Sequence, residues 1–429
     1  MTHAEVLIVG AGPAGIAAAT AAARTSRSVL LLDDNHAPGG QIWRTDSLAP
    51  NPRDRHRDAA LTSLQQSGAQ LLFNTRVCDA PAPGILTTLS GEAITHIEYD
   101  KLILATGARE RLLPFPGWTL PGVSGAGGLQ ALTKGGFPIA GKRVVVAGTG
   151  PLLIAVAAHL AAAHANIVCV AEQATLTQMA AFASAIASSP AKIWQGIKFR
   201  AQLRGAPYHT STWPIAALGD THLTSVRLTD GSRTWEEPCD YLACGFHLVP
   251  NTELASLLGC TFNGDFVAVD VLQRTSIGNI YCAGEPVAIG GLDAALIQGE
   301  IAGLAATDQL QQAQALHQRH ATSLQRFVTR LEAAFRLRPE LLTLAHPEDI
   351  VCRCEDVRFE QLVPYTSWTA AKLQTRCGMG PCQGRICGPA TQSLFGWKPT
   401  SVRAPLSPVP VSAFIQFDLR TPTAPQEIP

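Results

Sequence analysis

The strongest constraint on the fold is a glycine-rich turn that occurs twice, each time between a strand and a helix. Glu5 to Val9 is a short run of aliphatic residues. Gly10-Ala11-Gly12-Pro13-Ala14-Gly15 follows, then an Ala-rich helical segment from Ile16 to Ala23, then a strand, Val29 to Leu32, ending at Asp33. In this strand–turn–helix setting a GxGxxG turn predicts dinucleotide binding. Gly10 permits the tight turn and Gly12 lets the backbone approach a pyrophosphate. Gly15 allows the helix to pack closely on the strand. The helix N-terminus, entered through Pro13, presents the free N–H groups that follow it, from Ala14 on, and a partial positive charge to phosphate. Asp33 is placed to accept from ribose hydroxyls, with the adjacent Asp34 as a competitor for that role.

The second copy starts at Arg143 to Ala147 and continues through Gly148-Thr149-Gly150-Pro151-Leu152-Leu153. A helix to about Ala163 and a strand from Ile167 to Ala171 lead to Glu172. Leu153 stands where the third glycine belongs. A side chain there pushes the helix off the strand or crowds a pyrophosphate. Two readings follow: a second site for NAD(P)H, or a retained βαβ domain that no longer binds it. Further segments resemble the FAD signatures of flavoproteins with two dinucleotide-binding domains. They are Gly39-Gly40-Gln41, Ala105-Thr106-Gly107, and Gly284-Glu285 after the strand Tyr281 to Ala283. Gly290-Gly291-Leu292 then leads into a helix holding Gly299 and Gly303. The late acid is Glu285 where aspartate is more usual. Lys134, before a Gly-Gly turn, reads as a solvated surface lysine in preference to a flavin contact.

Eleven cysteines are present, and five fall between positions 352 and 387: Cys352, Cys354, Cys377, Cys382 and Cys387. Four thiolates suffice for a 2Fe–2S cluster, and four also satisfy tetrahedral zinc. A flavin on the same chain favours iron–sulfur, because a one-electron carrier gives the flavin an electron outlet. The CRC segment supplies Cys352 and Cys354. The second pair is Cys382 with Cys387 or Cys377 with Cys382. No CxxC accompanies the flavin segments, which counts against disulfide reductase chemistry. The other six cysteines read as small buried residues. The clustering predicts metal ligation in a reducing compartment, hence a cytoplasmic protein.

Composition narrows the partners. Charged residues are only 15% against a typical share of about 25%, while apolar residues reach 46% and the formal net charge is zero. Such a chain has material for a large core and a surface suited to cover by a partner. It lacks the basic excess of a nucleic-acid or membrane-surface binder. The longest apolar stretch, Pro151 to Ala171, contains His159, His164 and Asn166, so no membrane span is expected.

Over nearly its whole length the chain resembles the alpha subunit of heteromeric, dye-linked amino-acid dehydrogenases. That family includes D-hydroxyproline dehydrogenase, archaeal proline dehydrogenase, opine oxidase and a hydrogen cyanide synthase subunit. GAGPAG, PGGQIWR, ATGARERLLPFPGW, GTGPLL, CGFHLVPNTEL, CRCEDV and TRCGMGPCQGRIC carry the resemblance, the last being the most specific. It also resembles the bacterioferritin-associated-ferredoxin-like module of anaerobic glycerol-3-phosphate dehydrogenase. The resemblance implies an α/β two-dinucleotide-binding-domain flavoprotein with a small 2Fe–2S module of that type. It implies cluster ligands Cys352, Cys354, Cys382 and Cys387, with Cys377 at a variable position. It further implies FAD on this chain, FMN at a subunit interface, and a beta subunit, an FAD-containing amine-oxidase-like chain that takes hydride from substrate. A small ferredoxin-like gamma subunit completes some members. The competing expectations are a self-sufficient NAD(P)H-dependent oxidoreductase and a scaffold whose bound nucleotide is structural.

The segments divide as an FAD-binding domain over 1–114 and 265–308, a second Rossmann-like domain over 115–264, and a helical connector over 309–347. The cluster module spans 348–392 and a Pro-rich tail 393–429. No acid–base pair or nucleophile constellation is legible beside the flavin segments, so no catalytic residue is assigned.

Overall fold

The computed structural model of the chain describes residues 2–25, 27–44, 54–186, 190–203, 205–399 and 401–418. Its first sheet is built on β1 (Thr2–Val9), β2 (Val29–Leu32), β3 (Gln70–Leu72), β4 (Arg76–Ala82), β5 (Ile85–Ser90) and β6 (Ala93–Leu104), in the order β3-β2-β1-β6-β5-β4. Strand β6 does two jobs. Its first half pairs antiparallel with β5, while its last three residues pair parallel with the strand Ile280–Cys282. Residues separated by nearly the whole second domain thus meet at the carboxyl ends of parallel strands, where open α/β sheets bind ligands.

Helix α1 (Pro13–Ala23) packs on the helix Gly291–Ala306 across small residues. A Cβ at Gly299 would lie 2.1 Å from the Ala14 carbonyl oxygen, and one at Gly303 2.3 Å from that of Ala18. Any side chain at either position forces the helices apart, so these glycines set how close the two backbones come.

The second sheet is parallel, in the order Tyr208–His209, Asn166–Glu172, Arg143–Thr149, Tyr241–Phe246, Val123–Ser124. An antiparallel sheet of Trp213–Leu218, Ser225–Thr229 and Thr234–Pro238 lies beside it. Two short antiparallel strands, Ala108–Glu110 and Leu248–Pro250, carry the chain out of and back into the part built on the first sheet. Leu153 is fully buried among Val146, Val156 and Leu160, so the helix Leu152–Ala162 rests on its strand through that side chain.

The segment after Thr307 is one long helix, Leu310–Ala334. The cysteine-bearing module has its own small core of Val351, Val357, Leu362, Trp368 and Trp397 around Cys352, Cys377 and Cys387. The tail returns to the first sheet. Leu406 is buried in that core and its N–H donates to the Cys78 carbonyl at 2.8 Å, before a further helix, Val411–Asp418. Among the described residues no helix is long and apolar enough to cross a membrane.

Candidate functional site

The first glycine turn is shaped by close approaches that a side chain forbids. Gly10 has φ +105°, and a Cβ there would sit 2.3 Å from the Ala105 carbonyl oxygen; one at Gly15 would sit 1.8 Å from that of Gly10. Gly40, at φ +57°, brings its loop against Gly12, and a Cβ on it would be 2.9 Å from the Gly12 Cα. Gly284, at φ +84°, leaves no room for a Cβ beside Ala14. Separated segments thereby bring Gly10, Gly12, Pro13, Ala14, Gly15, Gly40, Ala105 and Gly284 together at the start of α1. Gln41 follows Gly40 in the same loop, and Thr106 and Gly107 follow Ala105.

The two candidate acids diverge. Asp33 is buried and turned toward the turn, where it accepts from the Ala11 N–H at 2.5 Å and from Asn35 at 2.8 and 2.7 Å. Asp34 is exposed and lies 3.7 Å from Arg76. Partial desolvation by the surrounding chain, with the neighbouring Asp33 charge, pushes Asp34 up from its ordinary carboxyl range. Glu285 accepts from the Gly291 N–H at 3.0 Å through one oxygen, while its other oxygen is buried with no hydrogen-bond partner. Burial pushes this carboxyl up to about 7. A buried acceptor left unpaired costs roughly 1–3 kcal/mol, and the ribityl hydroxyls of FAD offer the missing donors. The cradle and the orphaned oxygen fit FAD.

Lys134 departs from the expected surface position. It is 8% exposed, and its Nζ donates to the Ile42 carbonyl in the Gly-Gly-Gln loop at 3.5 Å. A helix of only nine residues, Ala126–Lys134, carries it inward, which no local pattern announces.

The second turn holds its own acid. Glu172 is fully buried, with its oxygens accepting from the Thr149 hydroxyl at 2.8 Å and from the Gly150 and Ala174 N–H groups at 2.8 and 2.9 Å. Gln173 beside it donates to the Arg336 carbonyl and accepts from the Arg338 N–H, both at 2.9 Å. The connector therefore sits on the edge of the second sheet where a nicotinamide nucleotide would approach.

In the cysteine module, Cys352, Cys377 and Cys387 hold their sulfurs within 4.8 Å of one another, all three buried. Cys377, left out of the ligand set implied by resemblance, is thus brought in. Cys354 is exposed and Cys382 half-buried. The Cys382 N–H donates to the Cys354 sulfur and their side chains meet, while Cys352 lies near enough to raise Cys354 electrostatically. The sulfurs that converge are thus those of Cys352, Cys377 and Cys387, while Cys354 and Cys382 contact each other outside that trio. The Cys377 and Cys387 thiols and the Gly378 N–H all donate to Cys352, which holds it well below the ordinary thiol range; the Gly378 contact is 3.5 Å. Gly378 is needed because Trp368 fills the place of its Cβ, and Gly380 because Cys354 does the same. The clustered thiols fit a thiolate-bound centre of either iron–sulfur or zinc type. The remaining six cysteines are buried and free.

A hydrogen-bonded chain that sequence reasoning missed ties the two sites. The Thr106 hydroxyl donates to the Asn251 carbonyl at 2.5 Å, and the Asn251 side chain donates back to the Thr106 carbonyl at 2.9 Å. Arg109 donates to the Asn251 side chain at 2.7 Å and to the Arg385 carbonyl at 3.1 Å, and pairs with Glu253 at 2.8 Å. Arg385 lies two residues before Cys387. The only signal in the sequence is that Arg109 and Asn251 sit within the ATGARER and CGFHLVPNTEL segments, whose contacts are nonlocal.

Residues 4–317 match the model of the family described as pyridine nucleotide-disulphide oxidoreductase. Hydrogen cyanide synthase subunit HcnB of Pseudomonas aeruginosa is 32% identical, over 95% of this chain and 97% of its own length. An opine oxidase subunit of Rhizobium meliloti is 31% identical, over 91% of this chain and 92% of its own. Among solved structures, L-proline dehydrogenase from P. horikoshii superposes over 96% of this chain and 79% of its own, with TM-score 0.69 and 18% identity, a likeness of fold. The cradle, the paired sheets and these relatives agree: the chain is an oxidoreductase with an α/β FAD-binding fold and a C-terminal cysteine cluster, and it belongs to the pyridine nucleotide-disulphide oxidoreductase family.

Proposed function

We propose that this chain is the electron-transferring subunit of a heteromeric amino-acid dehydrogenase, acting on a D-hydroxyproline, proline or opine type of substrate. One observation carries the reading: the FAD cradle and the clustered thiols are joined within one chain by the Thr106–Asn251–Arg109–Arg385 bonds. Bound FAD takes up electrons in pairs or singly, and a 2Fe–2S centre passes them singly. Gly10, Gly12 and Gly15 open the backbone to the pyrophosphate, Asp33 orients the turn, and Glu285 accepts from the ribityl side. Cys352, Cys354, Cys382 and Cys387 hold the cluster, with Cys377 as a fifth thiol touching two of them. The exposed Cys354 keeps one side of the centre at the surface, where an acceptor reaches it.

Substrate oxidation belongs to a partner flavoprotein subunit, supported by relatives named as subunits and by the lack of a legible acid–base pair here. FMN at the subunit interface and a small ferredoxin-like third subunit belong to the same proposal, as does a cytoplasmic location. The rival reading is a self-sufficient NAD(P)H oxidoreductase. It is disfavoured by Glu172, whose oxygens are already engaged by its own turn.

The deciding experiment is purification of the chain with and without its neighbouring gene products, followed by flavin, iron and zinc analysis. We expect FAD and a 2Fe–2S complement on this chain, and amino-acid-dependent dye reduction only in the complex. Colourless protein carrying zinc would overturn the relay. Full substrate turnover by the isolated chain would overturn the division of labour.

A further inference from the structure

The joint between the two nucleotide-binding domains is lined by an open cleft of about 330 Å³, a size within the range of small-ligand pockets. Arg111 and His247 come from just beyond the paired strands Ala108–Glu110 and Leu248–Pro250. Glu332, Phe335, Arg336 and Leu337 come from the end of the connector helix and the turn after it. Among the described residues, neither Arg111 nor Arg336 has a carboxylate within ion-pairing distance. The Arg111 Nε is inaccessible to solvent and has no hydrogen-bond partner. Asp265 is the acid that influences Arg111, but it is engaged by Lys398 at 2.7 Å and Gln392 at 3.0 Å.

A half-buried guanidinium whose Nε is shielded and orphaned is costly unless an acceptor completes it. A second observation is independent of that charge. His247 has φ +71°, a left-handed conformation that a non-glycine residue holds at a cost of about 1–3 kcal/mol and that gathers at ligand sites. Its ring is turned to the Leu248 carbonyl, at 3.3 Å. Burial and the Arg111 charge together hold the imidazole below its ordinary range.

The geometry points to a second small-molecule site at this joint, binding the oxyanion group of an organic acid or phosphate ester between Arg111 and Arg336, with Phe335 and Leu337 against its apolar part. A guanidinium offers a planar fork of donors matched to carboxylate or phosphate oxygens. A ligand held by both arginines would link the interdomain strands to the connector. The site is separate from the FAD cradle and does not depend on the relay reading.

The test uses FAD-loaded full-length protein, so that the pyrophosphate cradle is filled. Inorganic phosphate and succinate are titrated separately at constant ionic strength, with chloride as control, by calorimetry and by melting temperature. Saturable binding of either probe with a rise in Tm is expected. Phosphate alone binding identifies a phosphate ester as the ligand class, and succinate alone a carboxylic acid. Arg111→Gln and the exposed Arg336→Gln should each weaken binding by about tenfold or more, the worth of one charge-assisted pair. Arg336→Gln serves where Arg111→Gln does not fold. Absence of binding by both probes, or binding unchanged in Arg336→Gln, would overturn the site.

Discussion

Gly15 shows how much one hydrogen atom can decide. The Cβ of an alanine there would meet backbone on a strand-to-helix turn whose two sides are both fixed, so neither can yield. Gly15→Ala should lose FAD during purification and destabilise the fold by about 1–3 kcal/mol, the usual cost of overpacking; the flavin-to-protein absorbance ratio and a melting curve check both. Glu285 makes the opposite kind of prediction. Its buried oxygen has no partner within the chain, so Glu285→Gln should leave the flavin-free protein at least as stable. FAD affinity should fall about tenfold, as expected for a lost charge-assisted hydrogen bond, measured by fluorescence titration. Glu172 adds a pH dependence. Burial pushes it up to about 7 against the pull of four donors. Between its ordinary value near 4.5 and about 7, the folded chain keeps a proton that the unfolded chain has released. Raising pH through that window therefore costs stability, by about 1.4 kcal/mol per pH unit for one group. Melting curves from pH 5 to pH 7 should fall more steeply for the native chain than for Glu172→Gln.

Elements meet here through nonlocal bonds that no periodicity records. The strand and turn motifs that build the FAD cradle were readable because each carries its own glycines. Lys134 was not, because its burial is set by how the helix Ala126–Lys134 lies against the Ile42 loop. Arg109 belongs to the same class. It is the junction of Asn251, Glu253 and the Arg385 carbonyl, and Arg109→Met removes all three interactions at once. Faster hydrogen exchange should follow in residues 382–387 while the parallel sheets stay protected. Uniform protection throughout would show that the tail contacts, such as Leu406 with Cys78, hold the module alone.

For the whole molecule, the question is where electrons enter and leave. The second domain keeps its parallel sheet, but Glu172 is occupied internally and the connector is bonded at its edge through Gln173. Anaerobic NADH should therefore leave the flavin colour unchanged over minutes, whereas amino-acid substrate added to the assembled complex should bleach it. The thiol cluster sets a second whole-molecule prediction. Cys352→Ser should abolish iron binding, whereas Cys377→Ser should retain the 2Fe–2S complement with a shifted visible spectrum. Iron loss in Cys377→Ser equal to that in Cys352→Ser would move Cys377 into the ligand set.

The amino-acid order alone settled those parts whose physics is local: turns that only glycine can make, the two βαβ repeats, and a cysteine spacing dense enough to bring thiols together. Tertiary structure decided what depends on distance through space. It turned Asp33 inward and left Asp34 outside, closed Glu172 on its own turn, buried Lys134, and set Cys377 against Cys352 and Cys387. Each outcome follows from which side chain finds its partner after collapse, and a buried polar group must find one or carry the cost.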